Sequence, residues 1–264
     1  MVASPTTPGA WSTMSLTTLS NIPIIQPGDD LSKIILDRLK AMALSLMDGD
    51  ILVVAHKIVS KAEGRTVNLE EIEPSMRARE VAMTTGKDPR VVELILREST
   101  GISRMRQGVL IVRHRQGFTS ANAGIDRSNV GQNDTGERVL LLPVDPDGSA
   151  SRLRQAIKEQ TGAEIGIIIA DSHGRPFRLG TVGVAIGVSG LPALWDRRGE
   201  RDLFGYQLEH TEVGTADEVA SAASLLMGQA AEGTPVVLIR GLNLPDIEGQ
   251  AKDMIRPAEQ DLYR

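Results

Sequence analysis

The stretch EIGIIIAD, residues 164–171, decides the fold class of this chain. Its unbroken apolar run is typical of a strand covered on both faces, and it ends in a carboxylate, Asp171. A run of the same kind, ILVVA, occupies residues 51–55, and TPVVLIRG at 234–241 is the last clear strand. Helical segments alternate with these strands, so the sequence predicts an α/β or α+β protein.

The connecting segments carry helix and turn signals. Asp30 is a candidate N-cap for a helix of about 16 residues ending near Leu46, judged by its 3.6-residue period. DPDGSASRLRQAIKEQTG (145–162) predicts a second helix that stops at Gly162, and Thr215 with Glu218 has the capping-box pattern of a third, small-residue helix. Glycines within the strand TVGVAIGVSG (181–190) indicate close backbone approach.

Composition excludes several classes of protein. The 264 residues are 41% hydrophobic and 24% charged, which predicts a folded globular chain. The net charge of −5 disfavours nucleic-acid binding. The absence of cysteine excludes disulfides, thiolate zinc and a catalytic thiol, so a bound metal should be a hard cation. No apolar run reaches the roughly 18 residues of a membrane span, which predicts a cytoplasmic protein without membrane contact.

The two ends of the chain differ in texture from its middle. Residues 1–20 are rich in Ser, Thr and Pro without apolar periodicity, which predicts a flexible leader. Residues 246–264 are polar and form a candidate terminal helix. The intervening residues 21–245 are predicted to form the folded domain, which would carry any catalytic site.

The sequence lacks the common catalytic motifs. GxxxxGK[ST], Gly-x-Gly, HExxH and GxSxG are all absent, which disfavours Walker-type NTPases, dinucleotide-binding Rossmann enzymes, zincins and serine hydrolases. Asp171 and Ser172, at a strand end, suit Mg²⁺ or Mn²⁺, but the same pair also caps turns. The four histidines lack ligand-like spacing and are interpreted as structural; they are His56, His114, His173 and His210.

Two loop residues allow a functional and a plain interpretation. Asp126 lies in SANAGIDRSNVGQND (120–134), where a metal ligand followed by Asn129 reading a nucleotide is one possibility and an Asx turn the other. Lys61, in the predicted loop SKAEGR (60–65), either meets a phosphate or is solvated.

Arginines concentrate in GRPFR (174–178) and DRRGERD (196–202). These side chains either bind an anionic small molecule or pair with the neighbouring carboxylates of Asp196, Glu200 and Asp202. The arginines concerned are Arg175, Arg178, Arg197, Arg198 and Arg201.

Taken together, the segments resemble the coenzyme F420:L-glutamate ligase family. The resemblance is carried, in family order, by IPIIQPGDDL, GDILVVAHKIVSKAEGR, SANAGIDRSN, LLLPVDPDGSASRLR, IIIADSHGRPFRLGTVGVAIGVSG, RDLFGYQLEHT and LLMGQAAEGTPVVLIRGL. It implies a two-lobed, butterfly-like fold with mixed sheets and flanking helices, and a homodimer. It also implies GTP-dependent addition of L-glutamate to the F420-0 precursor and then of further γ-linked glutamates, through an acyl phosphate, with release of GDP and phosphate.

The resemblance also implies roles for particular residues. Asp126 and Asp171 would be the catalytic aspartates that share a first Mg²⁺ or Mn²⁺, and Ser172 and Gln229 would hold a second. A potassium ion is implied as well. The implied nucleotide-binding residues are Ile22, Pro23, Ile24, Ile25, His56, Lys57, Lys61, Asn129, Met227, Gly228, Gln229, Ala230, Ala231, Glu232, Gly233 and Thr234.

Two positions depart from the family pattern and leave alternatives open. Ser172 stands where Thr is frequent and keeps a hydroxyl oxygen. Gln229 stands where many relatives have Glu, so a neutral carbonyl replaces a carboxylate at the second metal. The unassigned arginine cluster leaves open a ligase of the same fold with another carboxylate acceptor. The change at Gln229 leaves open a deazaflavin-binding protein without turnover, against which Asp126 and Asp171 argue.

Overall fold

The computed structural model describes residues 13–131 and 137–261. Its α-helices are α1 (Leu31–Ala41), α2 (His56–Ala62), α3 (Met76–Thr85), α4 (Pro89–Arg97), α5 (Pro146–Thr161) and α6 (Thr215–Met227). Its strands are β1 (Ser15–Thr18), β2 (Ile51–Ala55), β3 (Thr66–Asn68), β4 (Ser99–Arg106), β5 (Val109–His114), β6 (Thr119–Ala121), β7 (Arg138–Leu140), β8 (Gly166–Arg175), β9 (Arg178–Ser189), β10 (Trp195–Asp196), β11 (Glu212–Val213) and β12 (Val236–Arg240).

A five-stranded mixed sheet forms the centre of the larger lobe. Its order is β1-β12-β2-β8-β9, in which β2 and β8 are parallel and the other neighbours antiparallel. One face packs against apolar residues of α1, α2 and α5, and the other packs against α6. Because both faces are covered, β2 and the first half of β8 are apolar at every position, as the sequence predicts. The predicted α/β (α+β) architecture with flanking helices is confirmed.

A smaller lobe is built from the middle of the chain. The antiparallel sheet β4-β5-β6 shares an apolar cluster with α3 and α4, and β3 pairs with β7 beside a second cluster. The predicted strand VLIVR is β5. RVLLLP forms hydrogen bonds as a strand only at Arg138–Leu140.

The predicted chain ends need correction. Residues 15–18, assigned to a flexible leader, form β1, which pairs antiparallel with β12 from Ser15↔Arg240 to Thr18↔Val237. Leu19, also assigned to the leader, is fully buried. Residues 1–12 of the predicted leader lie outside the described residues. In place of a terminal helix, the segment 246–261 contains the short 3-10 helices Ala251–Met254 and Ala258–Gln260.

Three helix boundaries or caps in the structure differ from those that the sequence predicts. Helix α1 begins after its cap Asp30, whose side chain accepts from Lys33 N, but it ends at Ala41 because the chain turns left-handed at Ala43. The predicted loop 60–65 is partly helical, since α2 runs to Ala62. Thr215 begins α6 behind the cap residue Gly214, so its predicted capping box is wrong.

The remaining boundary predictions hold. Helix α5 stops at Gly162, whose left-handed conformation ends the helix as expected. Within the described residues, each helix is too short or too polar to cross a bilayer.

The glycines of β9 allow helices to approach the sheet, as predicted. A Cβ on Gly187 would lie 2.4 Å from the carbonyl oxygen of Pro146, and one on Gly183 would lie 2.5 Å from that of Ala220. Because these are backbone atoms, they cannot move aside alone.

We expect Gly187→Ala to lower the free energy of unfolding by about 1–3 kcal/mol through overpacking, measured by urea denaturation. Gly174→Ala, with open space at that Cβ, is the matched control; equal losses would contradict this packing argument.

Candidate active site

The end of the parallel pairing between β2 and β8 brings His56 and Asp171 together. Strand β2 ends at Ala55, which pairs with Ala170, so the next residue of each strand lies at the same place in the sheet. After Ala55 the chain turns into α2, which begins at His56. The prediction that Asp171 ends its strand is wrong, because β8 continues to Arg175 through its pairing with β9. Ligand sites in sheets with parallel strands commonly lie beyond the carboxyl ends of those strands.

Asp126 reaches the same place from the smaller lobe. Its backbone exchanges two hydrogen bonds with Leu140, at 3.0 and 2.9 Å. The preceding turn is tight: Asn122, Ala123 and Gly124 all have positive φ, and a Cβ on Gly124 would meet the Leu142 side chain at 2.8 Å. The loop that carries Asp126 is therefore fixed by backbone pairing and close packing.

The two aspartates meet at the ring of His56, which is 2% exposed. Its Nε2 lies 3.0 Å from Asp126 Oδ2 and 3.2 Å from Asp171 Oδ1. One potential ligand atom from each of the three residues lies within 4.8 Å of the others. Hard cations bind oxygen at about 2.0–2.6 Å, so ligands on opposite sides of an ion are about 4–5 Å apart. This donor set therefore fits one divalent cation.

The same contacts shift the pKa values of His56 and Asp171. Burial alone would lower the pKa of His56, but the charges and hydrogen bonds of Asp171 and Asp126 raise that pKa to about 9. Burial would raise the pKa of Asp171, whereas His56 and His173 hold it well below its ordinary value. The proton on His56 thus balances carboxylate charge, and a bound cation would compete with that proton.

Several of the predicted nucleotide-binding residues lie next to this group and form polar contacts with its surroundings. Lys57 Nζ is 3.3 Å from Asp126 Oδ2 and donates to Ser128 Oγ at 2.9 Å. Asn129 Nδ2 donates to the Ala230 carbonyl at 2.8 Å, which links segments 101 residues apart. Lys61 lies close by, and burial followed by repulsion from Lys57 lowers its pKa.

All of the predicted metal and nucleotide residues line one cleft of about 960 Å³. Residues 22–25 and 227–234 contribute to its wall, with Ser172 and Gln229 among the lining residues. The cleft also includes residues that sequence reasoning missed. These are Gln26, Pro27, Ala55, Ile58, Thr66, Ser128, Val130, Gly131, Arg138, Ala170, Thr181, Gly183, Ser224 and Pro235.

Two of the histidines that were interpreted as structural contact the predicted metal-binding aspartates. His56 lies between the aspartates, and His173 Nε2 contacts Asp171 Oδ2 at 2.9 Å. Their positions in the sequence could have indicated this. His56 directly follows an apolar strand, and His173, two residues after Asp171, lies on the same face of its strand. His114 is buried against Phe118, with ring centroids 4.8 Å apart.

The arginine-rich segment 196–202 is largely paired internally. Arg197 contacts Glu200 at 2.6 Å, and Arg198 contacts Asp196 at 2.6 Å. Arg201 donates to the Gly205 carbonyl at 2.7 Å. These contacts favour the charge-pairing interpretation.

Carboxylates, an imidazole and two lysines around a large cleft at a strand edge are typical of enzymes that bind anionic ligands with a hard cation. The family described as F420-0:gamma-glutamyl ligase matches residues 20–241. The coenzyme F420:L-glutamate ligase of Methanothermobacter thermautotrophicus is 49% identical over 253 residues, which cover 95% of this chain and 99% of the relative. The enzyme of the same name from Methanopyrus kandleri is 50% identical, covering 91% and 93%. The chain belongs to the F420-0:gamma-glutamyl ligase family.

Proposed function

We propose that this protein is a GTP-dependent ligase that joins L-glutamate to the F420-0 precursor through an amide and then adds further γ-linked glutamates. Family membership and the names of the relatives support the ligation. The observation that carries the mechanism is the meeting of Asp126 and Asp171 at His56, although 45 residues separate them in the chain.

The donor set indicates which residues hold the cation. Asp126 and Asp171 would supply carboxylate oxygens, and His56 a ring nitrogen, to a Mg²⁺ or Mn²⁺ ion. Ser172 and Gln229, which line the same cleft, would hold a second ion. When bound, such ions neutralise phosphate charge and polarise the transferring group. Because Gln229 is uncharged, we expect the second ion to bind more weakly than the first.

The remaining residues position the nucleotide. Lys57 and Lys61 provide positive charge on the cleft wall, and the Asn129–Ala230 hydrogen bond fixes the segment 227–234 beside them. This arrangement suits phosphoryl transfer, which depends mainly on positioning and charge neutralisation. The proposed reaction requires no nucleophile from the protein, because it takes place between the substrates themselves.

The reaction proceeds in two balanced steps. The carboxylate of the precursor attacks the γ-phosphorus of GTP, forming an acyl phosphate and releasing GDP. The amine of L-glutamate then attacks the acyl carbon, the C–O bond to phosphate breaks, and the amine loses a proton as the amide forms. The proposal also includes a bound potassium ion, as the family resemblance implies.

We further propose that the protein acts in the cytoplasm as a homodimer. Large apolar side chains project from the β8–β9 turn and the loop after β10: Phe177, Leu179, Leu203 and Phe204 are each at least 95% exposed. A second copy of the chain would bury these side chains, since removing apolar surface from water is favourable. Sedimentation equilibrium tests the dimer.

The proposed activity is tested with purified protein, GTP, Mn²⁺ or Mg²⁺, potassium, the F420-0 precursor and L-glutamate. We expect phosphate release only when both organic substrates are present, and a product heavier by one or more glutamyl residues in mass spectrometry. GTP turnover with a different carboxylate acceptor would favour a ligase of the same fold that acts on another substrate. Precursor binding without turnover under every metal condition would favour a deazaflavin-binding protein without ligase activity.

Lys61 provides a test of the nucleotide site. We expect Lys61→Ala to weaken GTP binding about tenfold, because a partly buried ammonium beside a phosphate is lost, while the maximal rate changes less. Titration calorimetry with a non-hydrolysable GTP analogue measures this. Lys33→Ala, on the exposed surface of α1, is the control; an unchanged affinity in Lys61→Ala would remove Lys61 from the nucleotide site.

A further inference from the structure

A second cavity, of about 370 Å³, lies beside strand β9 at the edge of the large sheet. Among the described residues, none lines both this cavity and the cleft. His173 connects them, because it lines the cavity while its Nε2 lies 2.9 Å from Asp171 Oδ2. The cavity is therefore separated from the proposed metal site by one imidazole ring.

One part of the cavity wall offers hydrogen-bond acceptors. Gln116 Nε2 donates to the Pro143 carbonyl at 2.7 Å, but its buried Oε1 has no partner among the described residues. Asp217 accepts one hydrogen bond, from Ala185 N at 2.8 Å, and burial raises its pKa. A buried acceptor without a donor and a partly desolvated carboxylate both favour a ligand that carries N–H groups and positive charge.

The other parts of the wall are cationic and apolar. Lys252 lines the cavity, and its ammonium forms no ion pair with the described residues. Phe118, Val184 and Ile186 supply an apolar surface between these polar groups. The carboxylate of Asp147 is already engaged, since it accepts from Val188 N and Ala251 N at 2.8 Å each. Asp147 therefore supports the cavity wall rather than a ligand.

We propose that this cavity binds the amino-acid substrate, with its ammonium group toward Gln116 and Asp217, its methylene chain over Phe118, and a carboxylate at Lys252. The assignment rests on the proposed function, which makes that substrate L-glutamate.

The cavity is less than half the volume of the cleft, and its acceptors would repel phosphate. Asp217 lies close enough to His173 for their charges to interact, and His173 contacts Asp171. The amine held at Asp217 is therefore at the end of the cavity next to the metal site, from which it reaches the acyl carbon formed in the cleft.

Two variants test the assignment. Asp217→Asn keeps an acceptor for Ala185 N but removes the charge, and Lys252→Gln removes the cation from an exposed residue. We expect each to raise the KM for L-glutamate about tenfold or more, as loss of a charge-assisted hydrogen bond should, with the KM for GTP changed less than twofold. Asp37→Asn and Lys40→Gln, exposed on α1, are the matched controls.

Equilibrium dialysis with radiolabelled L-glutamate, with and without a non-hydrolysable GTP analogue and Mn²⁺, separates this assignment from the proposed function. Binding to the wild-type protein that weakens in both cavity variants and in neither control supports the cavity, even if ligation fails. The assignment is overturned if the wild-type protein binds no L-glutamate under either condition, or if both cavity variants bind it as tightly as the controls do.

Discussion

Replacement of Asp171 by Asn is expected to lower kcat/KM for precursor ligation by more than about 100-fold. Loss of outer-shell partners alone costs metal sites about 10–100-fold, and Asp171 supplies a charged oxygen directly to the proposed ion. The substitution is nearly isosteric but leaves the cation with one carboxylate fewer. It also removes a charge that stabilises protonated His56. Initial rates of phosphate release at several Mn²⁺ concentrations measure the effect.

Two controls separate chemistry from folding in this experiment. Asp37→Asn removes an exposed carboxylate from α1 and should retain the wild-type rate. The thermal unfolding midpoint of Asp171→Asn should show that the variant is folded at the assay temperature. Activity within twofold of wild type in folded Asp171→Asn protein would remove Asp171 from the metal site without affecting family membership.

Replacement of Arg240 by Met is expected to destabilise the fold by about 3 kcal/mol, as breaking a buried ion pair does. Arg240 forms a paired contact with Asp50, from Nε to Oδ1 at 2.8 Å and from Nη2 to Oδ2 at 2.7 Å. Asp50 is 2% exposed, so the substitution leaves a buried carboxylate whose charge is unpaired. Its remaining side-chain hydrogen bond comes from Met47 N. Urea denaturation measures the change in unfolding free energy.

A double variant isolates the cost of that buried charge. Asp50→Asn combined with Arg240→Met retains an acceptor for Met47 N but removes the carboxylate charge. Both variants lose the Arg240 hydrogen bond to the Ser45 carbonyl, so their difference reports on the charge itself. We expect the double variant to regain more than half of the lost stability; equal destabilisation of the two variants would contradict this explanation.

The sequence predicted the parts of the fold that depend on local pattern. Continuous apolar runs located β2, β8 and β12, and Asp30 and Gly162 marked helix boundaries through their capping chemistry. Strand β1 was not predicted, because SLTT at residues 15–18 is mostly polar and pairs with a strand more than 200 residues away. No local periodicity encodes such a partner. The strand order was likewise beyond pattern reasoning, since it depends on long-range packing.

The candidate site was only partly accessible from sequence. Asp171 was conspicuous at the end of an apolar run. For Asp126 the loop pattern left a metal ligand and an Asx turn open, and the family resemblance favoured the metal ligand. The placement of His56 between them follows from the parallel register Ala55↔Ala170, which spacing along one chain cannot reveal. The second cavity combines residues from six separated segments of the chain, including Gln116 and Lys252, and no sequence motif therefore indicates it.

The most direct test of the account is a crystal structure of the protein with Mn²⁺ and a non-hydrolysable GTP analogue, using anomalous scattering at the manganese edge. We expect a manganese peak within bonding distance of carboxylate oxygens from both Asp126 and Asp171, and in contact with phosphate oxygens of the nucleotide. Manganese bound elsewhere, or bound to the nucleotide with either aspartate out of reach, would contradict the central claim that these two residues anchor the cation.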